Sequence, residues 1–134
     1  MAFVLDIGGE GRHHEAWNLN PSLVKTVGPR RGEAIPRLIL GRADAVPFAD
    51  RSIDRVISER TPLTGEALGE IGRIIRPGGT ILLRHAFCPR CDRHALARRI
   101  LPGEVLQRIQ SMWGAWIEES EFLVEPTRQS IAEA

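Results

Sequence analysis

Apolar positions along this chain come in short runs bounded by polar and turn-forming residues. Phe3, Val4, Leu5 and Ile7 predict a short buried strand over residues 3–7, apolar except at Asp6. Ala16, Trp17 and Leu19 predict a second strand over 15–19. Pro21, Gly28, Pro29, Gly32 and Pro36 mark 20–36 as loop, with one helical turn near Ser22 to Thr26. Further strands are expected at 37–40 and 52–57. Thr64 stands as an N-cap for a helix through Ile75, because Ala67, Leu68, Ile71, Ile74 and Ile75 repeat at helical spacing. Pro77-Gly78-Gly79 ends that helix, and Thr80 to Leu83 reads as a fifth strand. Two more helices are expected at about 92–101 and 103–113, divided by Pro102-Gly103, then a terminal strand at 122–124 and frayed chain over 125–134.

Strands separated by loops and helices predict an α/β fold with a mainly parallel sheet, as one domain over residues 1–134. In such sheets ligands sit at the carboxyl ends of the strands. That directs attention to Gly8 to Arg12, Asn18, Asp44, Ser58 to Arg60, and His85 to Cys91.

Composition narrows the classes. With 43% hydrophobic residues in 134, the chain can bury a real core. No apolar run is long enough to span a membrane, and Ala2 to Leu5 offer no basic leader, so a cytoplasmic protein is expected. A formal charge of +1 directs the chain to neither nucleic acid nor a membrane surface. Arg84, Arg90, Arg93, Arg98 and Arg99 cluster against Glu118, Glu119, Glu121 and Glu125, which reads as two solvated surfaces of opposite sign. An RNA-binding patch at these arginines is the weaker alternative.

Three ordered stretches carry a family likeness. Val4-Leu5-Asp6-Ile7-Gly8 is similar to a strand entering D-x-G-x-G-x-G; "GRADAVPFADRSIDRVISER" (41–60) is similar to G-x-A/D-x-x-L-P-F-x-D-x-S-F-D; and "EIGRIIRPGGTILLRH" (70–85) resembles a helix–PGG–strand element. Together they resemble the class I S-adenosylmethionine-dependent methyltransferases, and imply a Rossmann-like fold with S-adenosylmethionine as cofactor. The resemblance implies a cofactor site of Asp6, Gly8, Gly9, Gly11, Asn18, Asp44, Val46 and Ser58. Glycines admit the methionyl portion, the second strand's end takes the ribose, and Asp44 and Val46 take adenine. It also places Glu59 or His85 near the methyl acceptor, names no catalytic residue and calls for no metal.

The chain departs from that pattern in three places. Glu10 and Arg12 stand where the family's second and third glycines belong, and Asn18 stands at the acidic ribose position. Gly8 to His14 is seven residues, ~23 Å when extended at ~3.3 Å each, too short for the usual crossover helix but enough for a bare loop to return. The first helix of the family fold is therefore expected to be missing, which leaves one sheet face under-covered.

Other constellations are weighed against plain structural roles. His85, Cys88, Cys91 and His94 recur every three residues, but ligands at that spacing on a helix rotate apart, so the cysteines are expected to be reduced and to shape a turn. A zinc half-site and a thiol–disulfide role are the alternatives. His13 and His14 are expected to be polar and exposed, kept with Arg12 as site candidates. Ile109, Met112, Trp113 and Trp116 read as a helical stripe facing the core or a homodimer partner. Two functions compete. One is a small S-adenosylmethionine-dependent methyltransferase-like protein with weakened or lost cofactor binding. The other is a non-catalytic module of the same fold that binds a protein partner, such as a toxin or immunity protein.

Overall fold

In the computed structural model, which describes residues 2–112 and 114–126, nine elements follow one another. They are β1 (Val4–Ile7), β2 (Ala16–Asn20), β3 (Leu38–Leu40), β4 (Ile53–Glu59), α1 (Gly65–Ile74), β5 (Ile75–Ala86), α2 (Ala95–Ile100), β6 (Glu104–Met112) and β7 (Ala115–Leu123). The strands form one sheet in the order β3-β2-β1-β4-β5-β7-β6. The first five in that order pair in parallel, while β7 runs antiparallel to both β5 and β6. Among the described residues no helix is long and apolar enough to cross a membrane.

Strand alternation sends successive side chains to opposite faces, and the two faces differ in kind. Leu5, Ile7, Val56, Ile81, Leu83 and Phe122 form the main core with Leu68, Ile71 and Ile74 of α1 and Ala97 of α2. Helix α1 begins as expected, with the Thr64 hydroxyl accepting from Ala67 N–H. On the other face, among the described residues, a small apolar cluster joins Val4, Ala16, Ile57 and Leu82. Across β4 to β7 that face also carries ion pairs, beside the apolar Leu106 and Ile117. Arg55 meets Glu121, Arg84 meets Glu119 at 2.8 Å, and Arg108 meets Glu119 at 2.7 Å. No helix lies between β1 and β2, so residues 8–15 return as a bare loop, as the short spacing predicts. Its Arg12 and His13 reach down to Glu59 on this face.

Several expectations are corrected. Residues 104–112 form strand β6 rather than a helix, because Gly114 (φ +77°) turns the chain into a hairpin that pairs Glu104–Met112 with Ala115–Leu123. Ile109 and Met112 matched a helical period, but the strand partner supplies backbone hydrogen bonds that outweigh a weak local preference. The apolar stripe is thus strand-borne: Ile109 and Trp116 are 49% and 63% exposed, while Trp113 lies outside the described residues. No helical turn forms at Ser22 to Thr26; a bridge between Val24 and Ala34 closes that loop instead. The terminal strand starts at Ala115 rather than 122, and residues 127–134 of the stretch expected to fray lie outside the described residues.

Candidate functional site

The turn after β1 needs glycine for two different reasons. Gly8 (φ +73°) and Gly11 (φ +108°) adopt left-handed backbone that side chains oppose. Gly9 is required by closeness: a Cβ there would lie 2.3 Å from Asn18 Oδ1 and 2.5 Å from Asp6 Cγ. The space beside Gly9 is therefore filled by the protein's own side chains. Asn18, 1% exposed, accepts from Gly11 N–H at 3.2 Å and donates to the Pro36 carbonyl at 2.8 Å. It serves as an internal brace of the glycine turn, with its donor and acceptor both engaged.

Beyond the turn the loop is pinned on two sides. Glu59, at the end of β4, is buried and takes His13 Nε2 together with Arg12 at 3.3 Å. Glu10 reaches the opposite way and accepts from the Thr26 hydroxyl at 2.6 Å and the Thr26 N–H at 3.1 Å. Burial raises the Glu10 carboxyl, but the Thr26 hydrogen bonds outweigh it, so its pKa ends below the ordinary value. A cavity of about 580 Å³ opens between the glycine turn, residues 25–30 and residues 59–61. Three carboxylates line it (Asp6, Glu10 and Glu59), with Arg12, Lys25, Arg30 and Arg60 among them. Asp6 is 4% exposed; burial, opposed by His13 and assisted by Glu59, pushes its pKa up to about 6.

Of the residues implied by the resemblance, Asp6, Gly8, Gly9 and Gly11 line this cavity. Ser58 is not in the lining; it is buried and bonded to the hydroxyl of Thr61, which is. Asp44 and Val46 stand apart from the cavity lining. Asp44 forms an exposed two-point ion pair with Arg42, at 3.0 and 3.1 Å, and Val46 is a core residue whose N–H donates to Glu70. Lys25, Thr26 and Arg30 were missed by sequence reasoning, because a Gly- and Pro-rich loop gives no sign of where it folds back. The residue before the Thr64 cap that matters here is Thr61; only its nearness to Ser58-Glu59 marks it.

A second polar cluster lies on the helix-covered face. His85 Nε2 is 2.7 Å from the Thr61 carbonyl, His85 Nδ1 is 2.9 Å from His94 Nε2, and His94 Nδ1 is 2.7 Å from Ser120 Oγ and 3.2 Å from Glu118. A carbonyl only accepts, so His85 carries its proton on Nε2. Neutral His85 then accepts from His94 Nε2–H, and neutral His94 accepts from the Ser120 hydroxyl. Burial lowers both pKa values, and for His94, with His85 adding to the effect, the value falls to about 4. His14 is exposed, as expected, whereas His13 is engaged with Glu59. The expectation of reduced cysteines is corrected: Cys88 and Cys91 form a disulfide, their Cα atoms 5.5 Å apart across the turn that joins β5 to α2. Among the described residues no group of three or more His, Cys, Asp or Glu is placed to hold a metal ion.

No protein-family profile matches the chain, and no curated protein sequence matches it. Solved structures do. A S-adenosylmethionine-dependent methyltransferase from Thermotoga maritima aligns with TM-score 0.66 at 16% identity, over 91% of this chain and 82% of its own. The complex of a methyltransferase activator and a methyltransferase from Haloferax volcanii contains a chain that aligns with TM-score 0.65 at 16% identity, over 95% and 83%. A 16S rRNA adenine methyltransferase from Catenulisporales acidiphilia, solved with S-adenosylmethionine, aligns with TM-score 0.60 at 16% identity, over 94% and 86%. At such identity the likeness is one of fold: this chain has the Rossmann-like methyltransferase fold.

Proposed function

We propose that this protein is a methyltransferase-like protein that binds S-adenosylmethionine weakly, in the cavity above β1 and β4. The observation that carries this reading is the cavity itself, of about 580 Å³, at the carboxyl ends of those strands beside the glycine turn. Its residues suit the amino-acid end of the cofactor: Asp6 and Glu59 for an ammonium, Lys25 and Arg60 for a carboxylate. The nucleoside end is poorly served. Asn18 is occupied by Gly11 and Pro36, and Asp44 by Arg42. When bound, the cofactor supplies an electrophilic methyl group; the protein's part is to orient it towards an acceptor, since in-line transfer depends chiefly on proximity.

Calorimetry with S-adenosylmethionine and with S-adenosylhomocysteine tests the reading. Relative to a micromolar site, a missing ribose anchor worth ~1–3 kcal/mol weakens binding roughly ten- to a hundredfold, to tens or hundreds of micromolar. Heat released with that affinity, and lost in Glu59→Gln, supports the proposal. No binding at millimolar ligand favours the second reading, a non-catalytic module that binds a protein partner. The internal commitment of Asn18 and Asp44 is what favours that alternative.

A further inference from the structure

We propose that Cys88 and Cys91 form a reducible thiol–disulfide exchange site, with Cys91 the sulfur that an incoming thiol attacks. The bridge joins residues only three apart. A loop that short restricts the unfolded chain least, so the bond serves poorly as a staple. The turn is also held without it. Phe87 N–H donates to the Trp116 carbonyl, Cys91 N–H to the Cys88 carbonyl and Ala95 N–H to the Asp92 carbonyl, while His94 is fully buried against His85 and Ser120. The backbone of residues 87–95 therefore keeps its place when the sulfurs part, which is what a reversible couple requires.

Access and environment favour the same role. Cys91 is exposed and Cys88 half-buried, so the outer sulfur meets solvent first. A shallow hollow of about 350 Å³ adjoins both, walled by Phe87 and Ile109, which are 36% and 49% exposed, with Arg90 at its rim. Asp92 and Glu118 line it as well, so the hollow offers both signs of charge beside an apolar wall, which suits a small peptide-like thiol carrying an ammonium and a carboxylate. Arg90, which lines the same hollow, favours a thiolate over a thiol in the turn, while Asp92 there is engaged by Arg98 and Glu118 by Gln107.

The exchange balances as a two-electron step. An external thiolate attacks Cys91 Sγ, the Cys88–Cys91 bond breaks, and the electron pair leaves on Cys88 Sγ as a thiolate. A second external thiolate attacks the external sulfur of the mixed disulfide and releases Cys91 as a thiolate. Two external thiols are thereby oxidised to one disulfide, and their two protons pass to the cysteine pair.

The test is a redox titration of the intact protein in mixtures of reduced and oxidised glutathione, with alkylation and mass spectrometry. The expected result is one cooperative two-electron transition in the folded protein, with two alkyl groups added per chain. With oxidised glutathione, Cys91 in Cys88→Ser should form the mixed disulfide at least tenfold faster than Cys88 in Cys91→Ser. Alkylation only after unfolding, equal rates in the two variants, or one zinc ion bound per reduced chain would each overturn the proposal. Because the wild-type titration needs no variant, poor folding of either serine variant leaves it decisive, and its outcome is independent of S-adenosylmethionine binding.

Discussion

Asparagine at position 6 should stabilise this protein while weakening its ligand site. Asp6 is 4% exposed, and burial, with His13 opposing, lifts its pKa from 3.8 to about 6. A carboxyl with a higher pKa folded than unfolded is held more tightly in its protonated form by the native state. Stability therefore falls as the pH rises from about 4 to about 6, and stays reduced above that. Roughly two pH units at 1.36 kcal/mol each set an upper limit of ~3 kcal/mol. His94 acts in the opposite sense. Burial, then His85, hold its pKa at about 4 against 6.5. The unfolded chain binds that proton more tightly, so this contribution rises across nearly the same interval.

The two slopes oppose one another in the wild type, and Asp6→Asn removes only the first. Urea denaturation from pH 4.5 to 7.5 should show the variant's advantage growing by ~1–2 kcal/mol across that range, with a steeper rise of stability with pH than in the wild type. Calorimetry on the same variant should show weaker S-adenosylmethionine binding at pH 7.5, because a carboxylate proposed to face the ligand's ammonium is gone. A variant less stable than wild type at pH 7.5, or one with an unchanged pH slope, would refute the reasoning.

Other substitutions test the remaining supports. Asn18→Asp should cost ~1–3 kcal/mol in thermal or chemical unfolding, because a carboxylate cannot donate to the Pro36 carbonyl. Glu119→Gln should cost ~3 kcal/mol at neutral pH by leaving Arg84 and Arg108 without their shared carboxylate. Burial raises the Glu119 pKa, but the two arginines lower it further, so the net is below the ordinary value. Its contribution is thus present at neutral pH and lost only as the pH falls below the usual carboxylate range, which an acid titration of stability in wild type and variant will show. Gly9→Ala should lower the unfolding midpoint by an amount equivalent to ~1–3 kcal/mol, since its Cβ would press on Asp6 and Asn18.

What the sequence made legible was local. The strands at β1, β3 and β4 and the Thr64 cap follow from runs and spacings that need no distant partner. The short interval after Gly8 was enough to remove a helix, because chain reach is arithmetic. What stayed hidden depended on pairing across the fold. Residues 104–112 look helical until their partner strand is known. Glu118-Glu119-Ser120 reads as a solvated acidic stretch, yet all three are buried, because Gln107, His94, Arg84 and Arg108 converge on them from elsewhere. Asn18 resembled a ribose ligand in sequence, and its bonds to Gly11 and Pro36 become visible only once the fold brings those residues to it.

Parallel strands are normally covered on both faces, so a sheet with helices on one side needs another way to meet water on the other. Here the uncovered face replaces apolar side chains with an ionic ladder. Arg55 stands beside Thr80 and Glu121; Arg84 and Arg108 flank Glu119; Arg12 and His13 descend on Glu59. The strands that contribute are β4, β5, β6 and β7. The bare loop between β1 and β2 thus lies over a face that carries charged side chains as well as apolar ones. This arrangement also ties the cavity to the sheet. Glu59 lines the cavity, yet Arg84 lies 3.9 Å from Glu59 and 2.8 Å from Glu119, so one guanidinium joins the cavity wall to the bare face. A positive charge bound in the cavity competes with Arg12, His13 and Arg84 for Glu59, which holds any such ligand to modest affinity unless those groups move aside.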